Sequence, residues 1–80
     1  MEADRFGEKL MALRRARGWT IQQLADRLGY RSRGYLSEVE SGKKRPSLDL
    51  VVKASRAMGV SADVLVRDEL ELPVREAEEG

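Results

Sequence analysis

Eighty residues make one small domain, near the lower limit for a chain that folds on a single core, and the absence of Cys and His excludes disulfides, thiolate or imidazole metal sites and imidazole catalysis. No apolar run approaches the ~20 residues of a membrane span, and Met1-Glu2-Ala3-Asp4-Arg5 lacks the basic-then-apolar order of a secretion signal, so a cytoplasmic protein is expected. The net charge of +1 hides a division: residues 1–60 carry 13 basic and 7 acidic side chains, residues 61–80 carry 2 basic and 7 acidic, which suits a polyanion-binding body with an acidic tail, or ordinary solubilising charge.

The periodicity is helical from end to end. Phe6, Leu10, Leu13 and Arg17 follow one helical stripe, with Asp4 as the expected cap, Gly18 as the stop and Arg14-Arg15-Ala16-Arg17 in the last turn. Thr20 and Gln23 form a capping-box pattern flanked by Trp19 and Leu24 as a hydrophobic staple, and Ile21, Leu24, Ala25 and Leu28 run to a stop at Gly29. After Gly29-Tyr30-Arg31, Ser32 reads as the cap of a third helix with Leu36 and Val39 inward, Tyr35 at its edge and Gly42 past its end. Its apolar face is thin, so Arg33, Ser37, Glu38 and Ser41 have little to do with a core.

A basic loop, Lys43-Lys44-Arg45-Pro46, leads to a third hydroxyl cap at Ser47. Leu48, Val51, Val52, Ser55 and Met58 suggest the inward face of a fourth helix, closed by Gly59. Val60-Ser61, with Leu65 as staple partner of Val60, opens a short fifth helix over 62–67. Glu69-Leu70-Glu71-Leu72 then alternates like a strand, and Pro73 interrupts it. The domain is expected to span 1–72, with 73–80 an acidic, flexible tail. Five helices joined by short connections make an all-α globule in which the second and third helices cross steeply, as a helix-turn-helix.

The segment from Thr20 to Ser47 carries the functional signal. Thr20, Leu24-Ala25, Gly29, Ser32, Tyr35-Leu36-Ser37, Glu40-Ser41-Gly42 and Lys43-Lys44-Arg45-Pro46-Ser47, in that order, resemble the lambda-repressor-like helix-turn-helix family of phage repressors, Cro proteins and small bacterial regulators. The likeness covers about Phe6 to Leu65. It implies a compact five-helix DNA-binding domain whose third helix enters the major groove of double-stranded DNA. The N-terminal residues of that helix, Ser32, Arg33, Gly34, Ser37 and Glu38, are then the base readers. Arg33 suits the O6 and N7 atoms of guanine, and Gly34 permits a close backbone approach. Glu38 either accepts from a cytosine amine or rejects wrong sites; Tyr35 is either a reader or a packing residue.

Phosphate contacts are expected from the start of the second helix with Gln22 and Gln23, from Arg31, and from Lys43, Lys44 and Arg45 beside the Ser47 cap. The resemblance further implies that Glu40 pairs with an arginine of the first helix, which spacing back from Gly18 makes Arg14. Two departures stand out: Ile21 occupies a place where the family often has Gln, and Gly29 to Gly42 is one residue longer than the usual spacing, with the extra residue in Tyr30-Arg31-Ser32.

A sequence-specific transcriptional regulator is the leading expectation, as a homodimer whose surface comprises Val60, Val64, Leu65, Val66, Leu70 and Leu72. The alternative is a protein-interaction module, such as a coactivator bridging factor or an antitoxin-like partner binder. An enzyme is disfavoured, and no cofactor, metal or small-molecule effector is indicated.

Overall fold

The computed structural model describes residues 3–72, so the acidic stretch 73–80 lies outside the described residues. Five helices follow in order: α1 (Phe6–Ala16), α2 (Ile21–Leu28), α3 (Gly34–Glu40), α4 (Leu48–Met58) and α5 (Ala62–Val66). They enclose one core in which Phe6, Leu10, Leu24, Leu36, Leu50 and Leu65 are fully buried. Each such side chain contributes roughly 1.5–3 kcal/mol through removal from water. No described helix is long and apolar enough to cross a membrane.

Local sequence decides the start of α2. Thr20 Oγ1 accepts from Gln23 N–H at 3.0 Å and Gln23 Oε1 accepts from Thr20 N–H at 2.8 Å, a complete capping box. Ser47 and Ser61 likewise cap α4 and α5, accepting from Leu50 N–H at 3.0 Å and Val64 N–H at 3.2 Å.

The start of α1 obeys a different rule. Asp4 does not cap it; its carboxylate lies 3.2 Å from Arg45. Asp68 reaches from the other end of the chain instead, accepting from Arg5 N–H at 2.9 Å and Asp4 N–H at 3.2 Å. Lys9 fastens the same segment. Its buried ammonium donates to the carbonyls of Val64 at 2.7 Å, Arg67 at 2.9 Å and Leu70 at 2.7 Å, so all three donors are used.

Three further expectations are corrected. The inward face of α4 is Leu50, Val51, Ala54 and Met58; Leu48 is 72% exposed and Val52 40% exposed. The sequence LDLVVKASRAM has apolar residues on two adjacent faces, and the small Ala54 lets the helix approach closely while Ser55 Oγ donates to Val60 O at 2.6 Å. Leu65 is a core residue, so it is no part of a dimer surface. Leu70 lies in a turn, its N–H donating to Arg67 O at 3.0 Å, and no strand forms among the described residues.

Candidate nucleic-acid interface

The turn between α2 and α3 begins at Gly29, whose φ of 82° is a left-handed conformation that glycine adopts without strain. Tyr30 N–H then closes back on Ala25 O at 2.9 Å. Ser32 Oγ accepts from Gly34 N–H at 3.0 Å, yet helical bonding starts one residue later than expected, with Arg33 in the capping position. The connection thus runs to Arg33, and α3 packs against the core through Leu36 and Val39.

This places Arg31, Ser32, Arg33, Gly34 and Ser37 on one exposed edge. Arg31 and Arg33 have no acidic partner among the described residues. Glu38 lies beside them, half-buried, its carboxylate 3.5 Å from Lys44. Tyr35 turns away from the edge. Its hydroxyl accepts from Ser47 N–H at 2.9 Å, and its ring sits 5.7 Å from that of Tyr30. Tyr30 in turn donates to Asp49 at 3.0 Å, and Asp49 meets Lys53 at 3.1 Å. Burial, reinforced by Asp49, pushes the Tyr30 hydroxyl up to about 12. Lys53 and Tyr30 hold the Asp49 carboxyl below its ordinary value.

The other end of α3 is held on both sides. Arg14 Nε and Nη2 donate to the two carboxylate oxygens of Glu40 at 2.8 and 3.0 Å, while Nη1 donates to Trp19 O at 2.8 Å. Both partners are largely buried, with 14% and 5% of their side chains exposed, and Glu40 raises the pKa of Arg14. Gly7 faces the same spot: a Cβ there would collide with the carbonyl oxygen of Val39. Only a glycine lets α1 lie directly against the end of α3.

The expected phosphate contacts fall into free and engaged groups. The backbone N–H groups of Lys43 and Lys44 donate to Glu38 O at 2.8 and 3.2 Å, folding the basic loop back on α3. Lys43 is exposed, Lys44 meets Glu38 and Arg45 meets Asp4. Gln22 Nε2 donates to Asp26 at 3.1 Å, Gln23 is committed to the capping box, and Ser47 Oγ is committed to α4.

Sequence reasoning missed Gly7, Lys9 and Asp68. Lys9 falls between Phe6 and Leu10 on the apolar stripe, which was a legible sign of burial. Gly7 shares that face with no turn to explain it, whereas Asp68 gave no local signal, because its partners are 63 and 64 residues away.

A short exposed helix with basic flanks, set by a left-handed turn on a five-helix core, defines the class: a helix-turn-helix domain. The helix-turn-helix family model matches residues 10–65, and this chain belongs to that lambda-repressor-like family. It is 40% identical to the SPbeta prophage-derived transcriptional regulator YonR of Bacillus subtilis over 62 residues, 78% of this chain and 56% of YonR. It is 31% identical to the immunity repressor of Bacillus phage phi105 over 72 residues, 90% of this chain and 49% of the repressor. The chain thus spans about half the length of both. Among solved structures, the restriction-modification controller protein C.AhdI from Aeromonas hydrophila superposes with a TM-score of 0.69 at 32% identity, over 79% of this chain and 94% of that one. The chain carries a helix-turn-helix domain of the kind found in these transcriptional regulators.

Proposed function

We propose that the protein is a sequence-specific regulator that binds double-stranded DNA as a homodimer on a pseudo-palindromic site, with α3 in the major groove. The observation that carries this reading is the exposed edge of α3, where Arg31 and Arg33 face solvent with no acidic partner among the described residues, beside Ser32, Gly34 and Ser37. Arg33 pairs with guanine, Ser32 and Ser37 donate to bases or nearby phosphates, and Glu38 tests for a cytosine amine after exchanging Lys44 for it.

Phosphates take the N–H groups at the start of α2 that the capping box leaves over, the Gln22 amide, Arg31 and the loop Lys43, Lys44 and Arg45. Tyr35 and Ser47 support this surface from behind. Two copies meet through the half-buried Val60, Val64, Val66, Leu70 and Leu72, and read half-sites about 34–36 Å apart or at multiples of that spacing. The phi105 relative is an immunity repressor, which favours repression.

Selection of bound sites from a random duplex pool tests the whole reading at once. An enriched two-fold motif is expected. Enrichment of nothing above the starting pool, at low salt, would remove it.

A further inference from the structure

Tyr35 is the second residue of α3, yet its hydroxyl serves another helix. At the start of α2 the N–H of the capping residue is taken up locally, by the Gln23 side chain three positions on. At the start of α4 that third position is Leu50, an apolar side chain fully buried in the core. The Ser47 N–H is satisfied across the surface instead, by the Tyr35 hydroxyl at 2.9 Å, twelve residues away. A second phenol lies beside the first. Tyr30, in the turn before α3, donates to Asp49 Oδ2 at 3.0 Å, in the first turn of α4. Lys53 holds the same oxygen at 3.1 Å and stands 4.7 Å from the centre of the Tyr30 ring. The two rings lie 5.7 Å apart, tilted by 52°.

These bonds join the two elements that the proposed function divides between bases and phosphates. Arg33 and Ser37, two positions to either side of Tyr35, lie on the exposed edge of α3. Ser47 ends the basic loop of Lys43, Lys44 and Arg45. At its start, that loop is bonded to α3 through the N–H groups of Lys43 and Lys44 on Glu38 O. At its end, it is bonded to α3 through Tyr35. Both ends of the loop are thus fixed to the helix whose edge faces outward.

We propose that Tyr35 is a positioning residue for DNA recognition: its hydroxyl holds the phosphate-binding loop at a set distance from the base readers of α3. The inference rests on the reading of α3 as the DNA-reading helix. Tyr35 acts through Ser47 and contacts neither base nor phosphate. A specific complex needs base and phosphate contacts at the same time, and a link already formed in the free protein spares the ordering of the loop on binding. A non-specific complex is held by phosphate charge alone and tolerates a loose loop. Loss of the link therefore weakens the right sequence and leaves other sequences as they were. Tyr30 acts in the same sense, by fixing Asp49 and the start of α4 against the turn.

Tyr35→Phe tests this, because it keeps the ring and removes only the oxygen. The freed Ser47 N–H lies at the surface and turns to water, so a thermal melt of the full chain should change little. Binding to a duplex selected from a random pool should weaken about fivefold, the effect of one hydrogen bond. Binding to an unrelated duplex at the same salt should stay unchanged. On the selected duplex, Lys44→Ala should cost less in the Tyr35→Phe background than in the wild type, because a loosened loop has already lost part of that contact. Tyr30→Phe should also weaken the selected duplex alone, and it answers where Tyr35→Phe melts early. Equal weakening on both duplexes makes Tyr35 a phosphate contact or a fold element and overturns the proposal. Unchanged affinity for the selected duplex overturns it too, as does strict additivity with Lys44→Ala. A wild-type chain that enriches no motif removes the reading of α3 and this inference with it, whereas the other failures leave that reading standing.

Discussion

The two ends of α3 differ in everything but their helix. At the start, Arg31, Ser32, Arg33 and Gly34 are exposed, and their side chains touch little of the core. At the far end, Val39 and Glu40 are buried, Arg14 grips the Glu40 carboxylate with two bonds, and Gly7 brings the α1 backbone against the last turn. A seven-residue helix has too few internal hydrogen bonds to hold itself. Its rigidity comes from one end, and the other carries the side chains proposed to contact DNA. Stability and the proposed recognition are thus separated along about ten ångströms of one helix.

Substitutions can break or sharpen that separation. The largest effect is expected for Glu40→Ala, which strands Arg14 in a mostly buried site: about 3 kcal/mol of stability by urea unfolding. An unchanged midpoint would show that the pair holds nothing. Gly7→Ala forces α1 off the end of α3 and should cost about 1–3 kcal/mol, with a shift in Val39 and Glu40 amide resonances. At the opposite end, Arg33→Ala should leave the melting temperature unchanged but weaken binding to a selected site by about 1–3 kcal/mol and flatten preference at one base position. Lys44→Ala should weaken all duplexes alike and lower the salt slope by roughly one. Equal behaviour of the last two variants would merge readers and clamps into a single class.

The smallest effect is a titration. Tyr30, which backs the turn into α3, has its hydroxyl raised from 10.0 to about 12, chiefly by burial. The folded state therefore holds that proton more tightly than the unfolded chain. The resulting stability is complete below about pH 10 and is lost as pH rises through about 12. Tyr30→Phe should remove this alkaline loss. Asp49 and Glu71 act in the opposite sense: cationic or hydroxyl partners depress both, so their contribution fades as pH falls below the ordinary carboxylate range.

Much of this architecture was legible because it is local. Capping boxes, staples and glycine stops bond residues within a few positions of one another, so the order of five helices and the exposed edge of α3 follow from short patterns. The Arg14–Glu40 contact was legible only through the family resemblance. What escaped depends on distant partners or on competition between faces. Asp4 has the chemistry of a cap but was outcompeted by Asp68, and Leu48 and Val52 have the chemistry of a core but sit on the losing side of α4. The charge pattern pointed to Lys43–Arg45, yet folding brings acids to Lys44 and Arg45 and leaves the uncompensated arginines elsewhere.

The bonds from Asp68 to residues 4 and 5, and from Lys9 to the carbonyls of 64, 67 and 70, have a consequence for how the domain is made. They close the described chain into a ring, with its first and last helices clasped. A nascent chain emerging from the ribosome has α1 in hand from the outset, but lacks its cap and the lock around Lys9 until residues 64–70 are out. No early fragment contains a finished half. The domain should acquire its stability late and all at once, and pulse proteolysis of stalled nascent chains should show protection of α1 only after residue 70 has cleared the exit tunnel.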